Sequence, residues 1–251
     1  MIKIKKGLDL PIKGKPDQSM GEARTVRSVA ILGDDYPGMK PTMAVAEGDT
    51  VAKGQVLFSC KKTPGVVYTA PAAGTVSAVN RGTKRALRSV VIEVADGGEQ
   101  TFTAHEAKGI AALSREAVVE QLVNSGAWTG LRTRPFAKVP DPTASPHSIF
   151  VTAMDSNPLA ADASVIIPDY ATEFSAGLDV LTKLTDGPVH VCHEQGKCLP
   201  TGSIGTITAH EFAGPHPAGL AGTHIHFIDP VSTRKTVWYL NYQDVIAIGH
   251  L

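Results

Sequence analysis

The sequence predicts a mixed α/β fold with two unlike halves, a β-rich region over residues 1–105 and an open α/β sheet over residues 106–251. Three observations carry that prediction. Between Met43 and Val94, short apolar runs alternate with turn-forming clusters, the pattern of a small all-β module. From Ile149 to Cys192 a strand-like run, a helical stripe and a second strand-like run follow one another, the order of a parallel crossover. A glycine- and proline-rich stretch over residues 202–222 marks a long shaped loop, a kind of segment that is uncommon inside compact domains and usually functional.

Taken in order, Met1 to Lys15 alternates apolar and basic positions around Gly7, Pro11 and Gly14, which predicts a short edge strand and turn tying the start of the chain to the core. Arg27 to Leu32 reads as a strand closed by the turn-formers Gly33, Asp34, Asp35, Pro37 and Gly38, with Tyr36 among them. Glu47-Gly48-Asp49 and Lys53-Gly54 then make two turns among short strands. A second run from Val66 to Val94 loosely mirrors the first. The pairing of Glu-Gly-Asp-Thr-Val-x-Lys-Gly-Gln-Val-Leu with Ala-Pro-Ala-x-Gly-Thr-Val resembles the biotinyl/lipoyl barrel-sandwich hybrid and covers roughly residues 40–95. Carrier domains present a modified lysine on the hairpin between the two halves. Here that hairpin reads Cys60-Lys61-Lys62-Thr63-Pro64-Gly65, the carrier motif is missing, and no biotin or lipoate is predicted.

In the second half, Ser114 caps a helix over Arg115–Ser125 that stops at Gly126 and buries Val118, Val119, Leu122 and Val123. Trp128 to Lys138 mixes aromatic and basic residues and reads as a solvated linker. A strand over Ile149–Met154, a helix over Tyr170–Leu184 and a strand over Val189–Cys192 give a Rossmann-like open sheet. Ligands of such sheets bind beyond the carboxyl ends of the strands, which places Asp155-Ser156-Asn157 and His193 to Lys197 in view. The loop then feeds Thr223 to Ile228, whose alternation predicts a strand with His224 and His226 on one face. Thr236 to Leu240 is a strand, and Asn241 to Gly249 a short helix or second strand. The chain stops without a polar tail, as the amino-terminal part of a longer protein would.

Lysine plus arginine balances aspartate plus glutamate, 24 against 24, so no net positive field draws the chain to nucleic acid. No apolar run is long enough to span a bilayer, and the start lacks a signal-peptide core. Three cysteines without framework spacing predict reduced thiols. The dinucleotide and phosphate-loop fingerprints are both absent.

No catalytic residue stands out. Cys192 and His193 are neighbours on a strand and point to opposite faces, which argues against a thiol dyad. His224 and His226 on one strand face have the spacing to share a metal, but no third ligand is placed, and no metal is predicted. The reading adopted is a structural loop in which Gly214, Gly219 and Gly222 set the path and His216, His224 and His226 hold it by hydrogen bonds. A second candidate joins two distant segments. Leu32, Tyr36 and Met39 supply apolar walls and a phenol, while Arg132, Arg134, Phe136 and Lys138 supply a ring with cationic donors. A quinone head group needs that mixture, an apolar slot with a few donors for its carbonyl oxygens.

The opening Ile-Lys-Ile-Lys-Lys-Gly-Leu-Asp-Leu-Pro-Ile, the hairpin Lys-Lys-Thr-Pro-Gly-Val, Leu-Arg-Thr-Arg-Pro-Phe and Gly-Pro-His-Pro-Ala-Gly-Leu-x-Gly-Thr-His-Ile-His together resemble the A subunits of the bacterial sodium-translocating NADH:quinone oxidoreductases, across essentially the whole chain. Members of that family are longer, so the chain corresponds to their amino-terminal part. The resemblance implies a fold related to the flavin-carrying subunit of respiratory complex I, without its iron–sulfur cysteines. It implies a peripheral subunit on the cytoplasmic side of the inner membrane, with no transmembrane segment of its own, in a complex that moves electrons from NADH to ubiquinone and exports sodium. Flavins and an iron–sulfur centre are expected in partner subunits, nothing bound covalently here. Ubiquinone is the ligand the resemblance suggests, and purely structural docking is the alternative.

Overall fold

The computed structural model describes residues 1–106 and 108–251. Its chain order is β1 (Ile2–Lys3), β2 (Ser28–Leu32), β3 (Pro41–Met43), β4 (Thr50–Val51), β5 (Val56–Cys60), β6 (Val67–Thr69), β7 (Gly74–Arg81) and β8 (Leu87–Val94), then α1 (Arg115–Ser125), β9 (Arg132–Arg134) and β10 (Ile149–Ala153). There follow α2 (Ala163–Ile166), α3 (Ala171–Leu181), β11 (Val189–Glu194), β12 (Ile207–Ala213), α4 (Ala221–Ile228), β13 (Val237–Asn241) and α5 (Tyr242–His250).

The β module consists of two antiparallel sheets, β2-β8-β7-β4 and β3-β5-β6. On β8, Leu87, Val90 and Ile92 turn inward, with a register shift between Leu87 and Ser89, and join Val51, Leu57, Phe58, Val66, Tyr68 and Val76 in one core. The glycine of the Ala-Pro-Ala-x-Gly-Thr-Val motif has a steric reason. Gly74 lies at φ +153°, and a Cβ there would meet the carbonyl oxygen of Glu93 on the paired strand.

The second module is a six-stranded sheet in the order β1-β12-β11-β10-β13-β9. All its pairs are parallel except β13 with β9. Of its four central strands β10 comes first, β11 and β12 are added on one side, and the chain then returns to lay β13 on the other. The strand order therefore reverses between β10 and β13. β10 is buried at every position, as befits a central parallel strand covered on both faces. Helix α1 begins where Ser114 Oγ accepts from the Ala117 amide and ends at left-handed Gly126, as the sequence predicts.

Several expectations need correction. The predicted strand over residues 223–228 is helix α4. Its short alternation is also compatible with helical spacing, and Ala221, Ile225 and Ile228 fall at intervals of four and three. His224 is consequently buried and His226 exposed, so the shared strand face does not exist. Much of the loop expected over 202–222 is β12, for residues 207–213 contain neither glycine nor proline and pair in parallel with β11. The supposed solvated linker is also structured. Trp128 is fully buried, packs edge-on against Trp238 at 5.5 Å and donates to the Pro140 carbonyl at 2.9 Å, while β9 closes the sheet edge. The edge strand expected at the start of the chain is β1, but it lies beside β12 in this second sheet and not with the β module of residues 1–105. The last segment is helix α5, begun by an Asn241–Asp244 capping box.

One continuous apolar core runs from the β module into the α/β module. At their junction Thr69 on β6 donates to the Ser125 carbonyl at the end of α1, at 3.1 Å.

Candidate functional site: a cleft at the junction of the modules

The turn after β2 and the segment around β9, almost one hundred residues apart in sequence, meet at this junction. The Tyr36 ring stands edge-on to Tyr68 at 4.7 Å, and Tyr68 stacks on Phe58 at 4.6 Å. The Arg132 guanidinium lies 5.0 Å from the centroid of Tyr36 and donates to the Asp35 carbonyl at 3.5 Å. It also donates to the carbonyls of Thr129 and Leu131, which fixes the fork in place.

Tyr36 divides two openings. One, of about 220 Å³, is walled by Tyr36, Met39, Cys60, Tyr68 and Val139, with Lys62, Thr63 and Lys138 at its polar side. The other, of about 390 Å³, lies between Tyr36 and Arg132 on one side and Asn241, Asp244 and Ala247 on the other. Burial pushes the Asp244 carboxyl up, against the opposing pull of the Asn241 backbone and Arg132. The Tyr68 phenol is likewise pushed up by burial and then by Cys60 and Tyr36, so it stays protonated. Burial raises the Cys60 thiol, but the backbone at Lys40, Lys62 and Thr63 outweighs it and leaves the thiol below its ordinary value. The result is an aromatic slot with ammonium, guanidinium and hydroxyl groups at its margins.

Of the residues anticipated for this site, Tyr36, Met39, Arg132 and Lys138 come together. Leu32 and Phe136 do not line either opening and are 47% and 74% exposed. Arg134 turns away, its guanidinium 4.8 Å from the Tyr239 centroid, into a different cleft. Sequence reasoning missed Cys60, Lys62, Thr63 and Tyr68. The available signal was the hairpin itself, since it occupies the position where related barrels display their working group.

Outside β12 and α4, the anticipated structural loop keeps residues 202–206 and 214–220. His216 Nδ1 donates to the Ser156 carbonyl at 3.0 Å, and the Gly219 amide donates to Ser156 Oγ at 2.9 Å. His224 Nε2 donates to the Ala218 carbonyl at 2.8 Å. A Cβ on Gly219 would collide with the Ser156 amide nitrogen, so only glycine permits this approach. Gly214 is held against Ile4, Gly222 opens into space, and His226 is solvent-facing beside Phe227.

Fold and site together define a two-module α/β protein with a ligand-sized aromatic cleft where the modules join. Comparison with known proteins specifies the family. A family model described as NqrA N-terminal barrel-sandwich hybrid domain matches residues 2–95, and one described as NqrA second alpha/beta domain matches residues 113–251. The chain belongs to the NqrA family. It is 56% identical to the A subunit of the Na(+)-translocating NADH-quinone reductase of Histophilus somni strain 2336, 57% to its counterpart in Photorhabdus laumondii and 58% to that in Alcanivorax borkumensis. Each match covers 100% of this chain and 56% of the relative, so the chain spans little more than half the length of these proteins.

Proposed function

We propose that the chain acts within a sodium-translocating NADH:quinone reductase complex, as a peripheral subunit on the cytoplasmic side that helps to bind ubiquinone. The observation that carries this reading is that Tyr36 stands between two adjoining openings, one walled by Met39 and Lys138 and the other by Arg132, whose guanidinium lies against the Tyr36 ring. A quinone ring in the opening beside Tyr68 packs against Tyr36 and Met39, and its carbonyl oxygens meet Lys62 or Lys138. Electrons reach that ring from flavins and an iron–sulfur centre in partner subunits; no residue of this chain is assigned a redox role. The likeness of the open sheet to the flavin subunit of complex I belongs to the same proposal. Among the described residues no helix is long and apolar enough to cross a membrane, so membrane attachment is assigned to the partners.

Titration of the chain with a short-chain ubiquinone, followed by protein-observed NMR, tests the proposal. Saturable shifts at Tyr36, Tyr68 and Lys138 are expected, with affinity falling at least tenfold in Tyr36→Ala while the melting temperature changes little. A saturable response that Tyr36→Ala leaves intact rejects this cleft. The exposure of Phe136 and Leu32 favours a second role, contact with neighbouring subunits. Phe136→Ser then weakens assembly of the complex and leaves quinone affinity unchanged.

A further inference from the structure

A second cleft, of about 510 Å³, opens at the carboxyl ends of β10 and β13, where the strand order of the large sheet reverses. Open parallel sheets bind their ligands beyond the carboxyl ends of their strands, at such a reversal; here α3 and α5, which follow β10 and β13, pack on each other, and the space is left between their leading segments and the 217–223 segment. Here one wall is the 154–157 segment that follows β10, and the other is the start of α5. The roof is the 217–223 segment, pinned to Ser156 by the bonds of His216 and Gly219.

The polar groups around this space are unusual in what they lack. Thr152 Oγ1, the Tyr242 hydroxyl and Arg134 Nε are buried without a hydrogen-bond partner, and all three residues line the cleft. Thr152 and Tyr242 are 6% and 3% exposed. Buried polar atoms without a partner are few in native structures, and here two hydroxyls and a guanidinium nitrogen belong to residues that border one cavity. Helix α4 adds to them. Its first turn, Ala221 to Thr223, faces the cleft, and Leu220 provides no side-chain cap. The Leu220 carbonyl takes the amides of Thr223 and His224, so those of Ala221 and Gly222 are the ones left for an anion. Gly222 leaves the approach open, since a Cβ there would touch nothing within 4 Å.

Asp155 is the acidic residue among the lining groups. Its Oδ1 accepts from the Asn157 amide and side chain, both at 2.7 Å, which leaves its other oxygen to accept from hydroxyls. Burial and the Asp155 charge push the Tyr242 phenol up, so it remains a donor. The geometry points to a sugar phosphate, such as a nucleoside monophosphate, as the ligand of this cleft, with its phosphate held by Arg134, Thr152, Tyr242 and the α4 amides and its sugar hydroxyls by Asp155. Neither phosphate-binding fingerprint is present in the sequence, because the donors come from β9, β10, α4 and α5 instead of one glycine-rich loop. This site is separate from the junction cleft and does not depend on quinone binding there.

The test is NMR titration of the chain with AMP, inorganic phosphate and succinate in parallel. Saturable AMP shifts are expected at Gly222, Thr223 and Tyr242, with inorganic phosphate at least tenfold weaker and succinate without saturation. Arg134→Met keeps the stem over Tyr239 but removes the charge, and lowers AMP affinity at least tenfold. Tyr242→Phe lowers it severalfold while the melting temperature holds or rises, which separates lost binding from lost folding. Equal affinity for phosphate and AMP overturns the sugar contact, and succinate binding as well as AMP overturns the phosphate assignment. No saturable shift at these residues, or an affinity indifferent to Arg134→Met, overturns the site.

Discussion

The two modules bury different kinds of side chain. In the β module the fully covered residues are apolar apart from the Tyr68 phenol and the Cys60 thiol, whereas the buried hydroxyls, imidazoles and carboxylate, from Ser148 to His224, all belong to the α/β module. The contrast follows from architecture. A small two-sheet barrel closes its backbone ladders on itself and leaves only an apolar interior. An open parallel sheet ends in loops and helix termini whose polar groups must find partners, so polar side chains are drawn in beside them. The barrel thus supplies shape to the junction cleft, and the α/β module supplies most of the chemistry that can respond to ligand or pH.

The largest expected effect starts in the barrel. Phe58 is fully buried and stacked on Tyr68, so Phe58→Ala costs about 3–5 kcal/mol and loosens the support beneath Tyr36. Urea denaturation gives the loss, which should be the same at pH 7 and pH 5 because the residues it touches carry no imidazole.

Acid acts on the other module. Burial, with the neighbouring His210 charge, holds His190 down to about 4, and burial holds His224 down to about 4. Both values lie below the ordinary imidazole value of about 6.5, so between those limits the unfolded chain takes up protons that the folded chain refuses. The stability they contribute is fully present above about pH 6.5 and is lost as pH falls through 4, at most roughly 3 kcal/mol for each. Trp128 and Trp238 both lie in the α/β module, so tryptophan fluorescence reads its urea midpoint directly. The midpoint should fall steadily from pH 7 to pH 4, and His224→Gln should flatten that fall. A midpoint indifferent to pH in this range would remove the contrast between the modules.

A smaller effect carries the opposite sign. Tyr242→Phe deletes a buried hydroxyl without a partner, so it should stabilise the ligand-free chain by about 1 kcal/mol. A thermal melt decides it. Stabilisation here, beside destabilisation at Phe58, would show that the α/β module retains polar groups its folding does not need.

Local signals were sufficient wherever a pattern was long or its punctuation strong. The Ser114 cap and Gly126 stop bounded α1, the paired turns outlined the barrel, and strand, helix, strand gave the parallel crossover. The errors fell on short stretches with more than one compatible period. Six residues from Thr223 to Ile228 suit a strand or a helix, and the choice was made by packing, which buries His224 and Ile225 against Phe212 and its neighbours. β9 is three residues long and gains its ladder only because β13 lies beside it.

The sites divide in the same way. Sequence determined the chemical inventory: an aromatic turn at Tyr36, a basic aromatic segment from Arg132 to Lys138, and glycines that let residues 214–222 run close to other backbone. Tertiary structure alone decided that Tyr36 and Arg132 touch, that Arg134 faces the opposite way toward Tyr239, and that Thr152 and Tyr242 share a cavity. The physical reason is range. Caps, turns and periodicity are fixed by neighbours within a few residues, whereas a cleft is fixed by which distant strands pair, and that is set by the burial of the whole core.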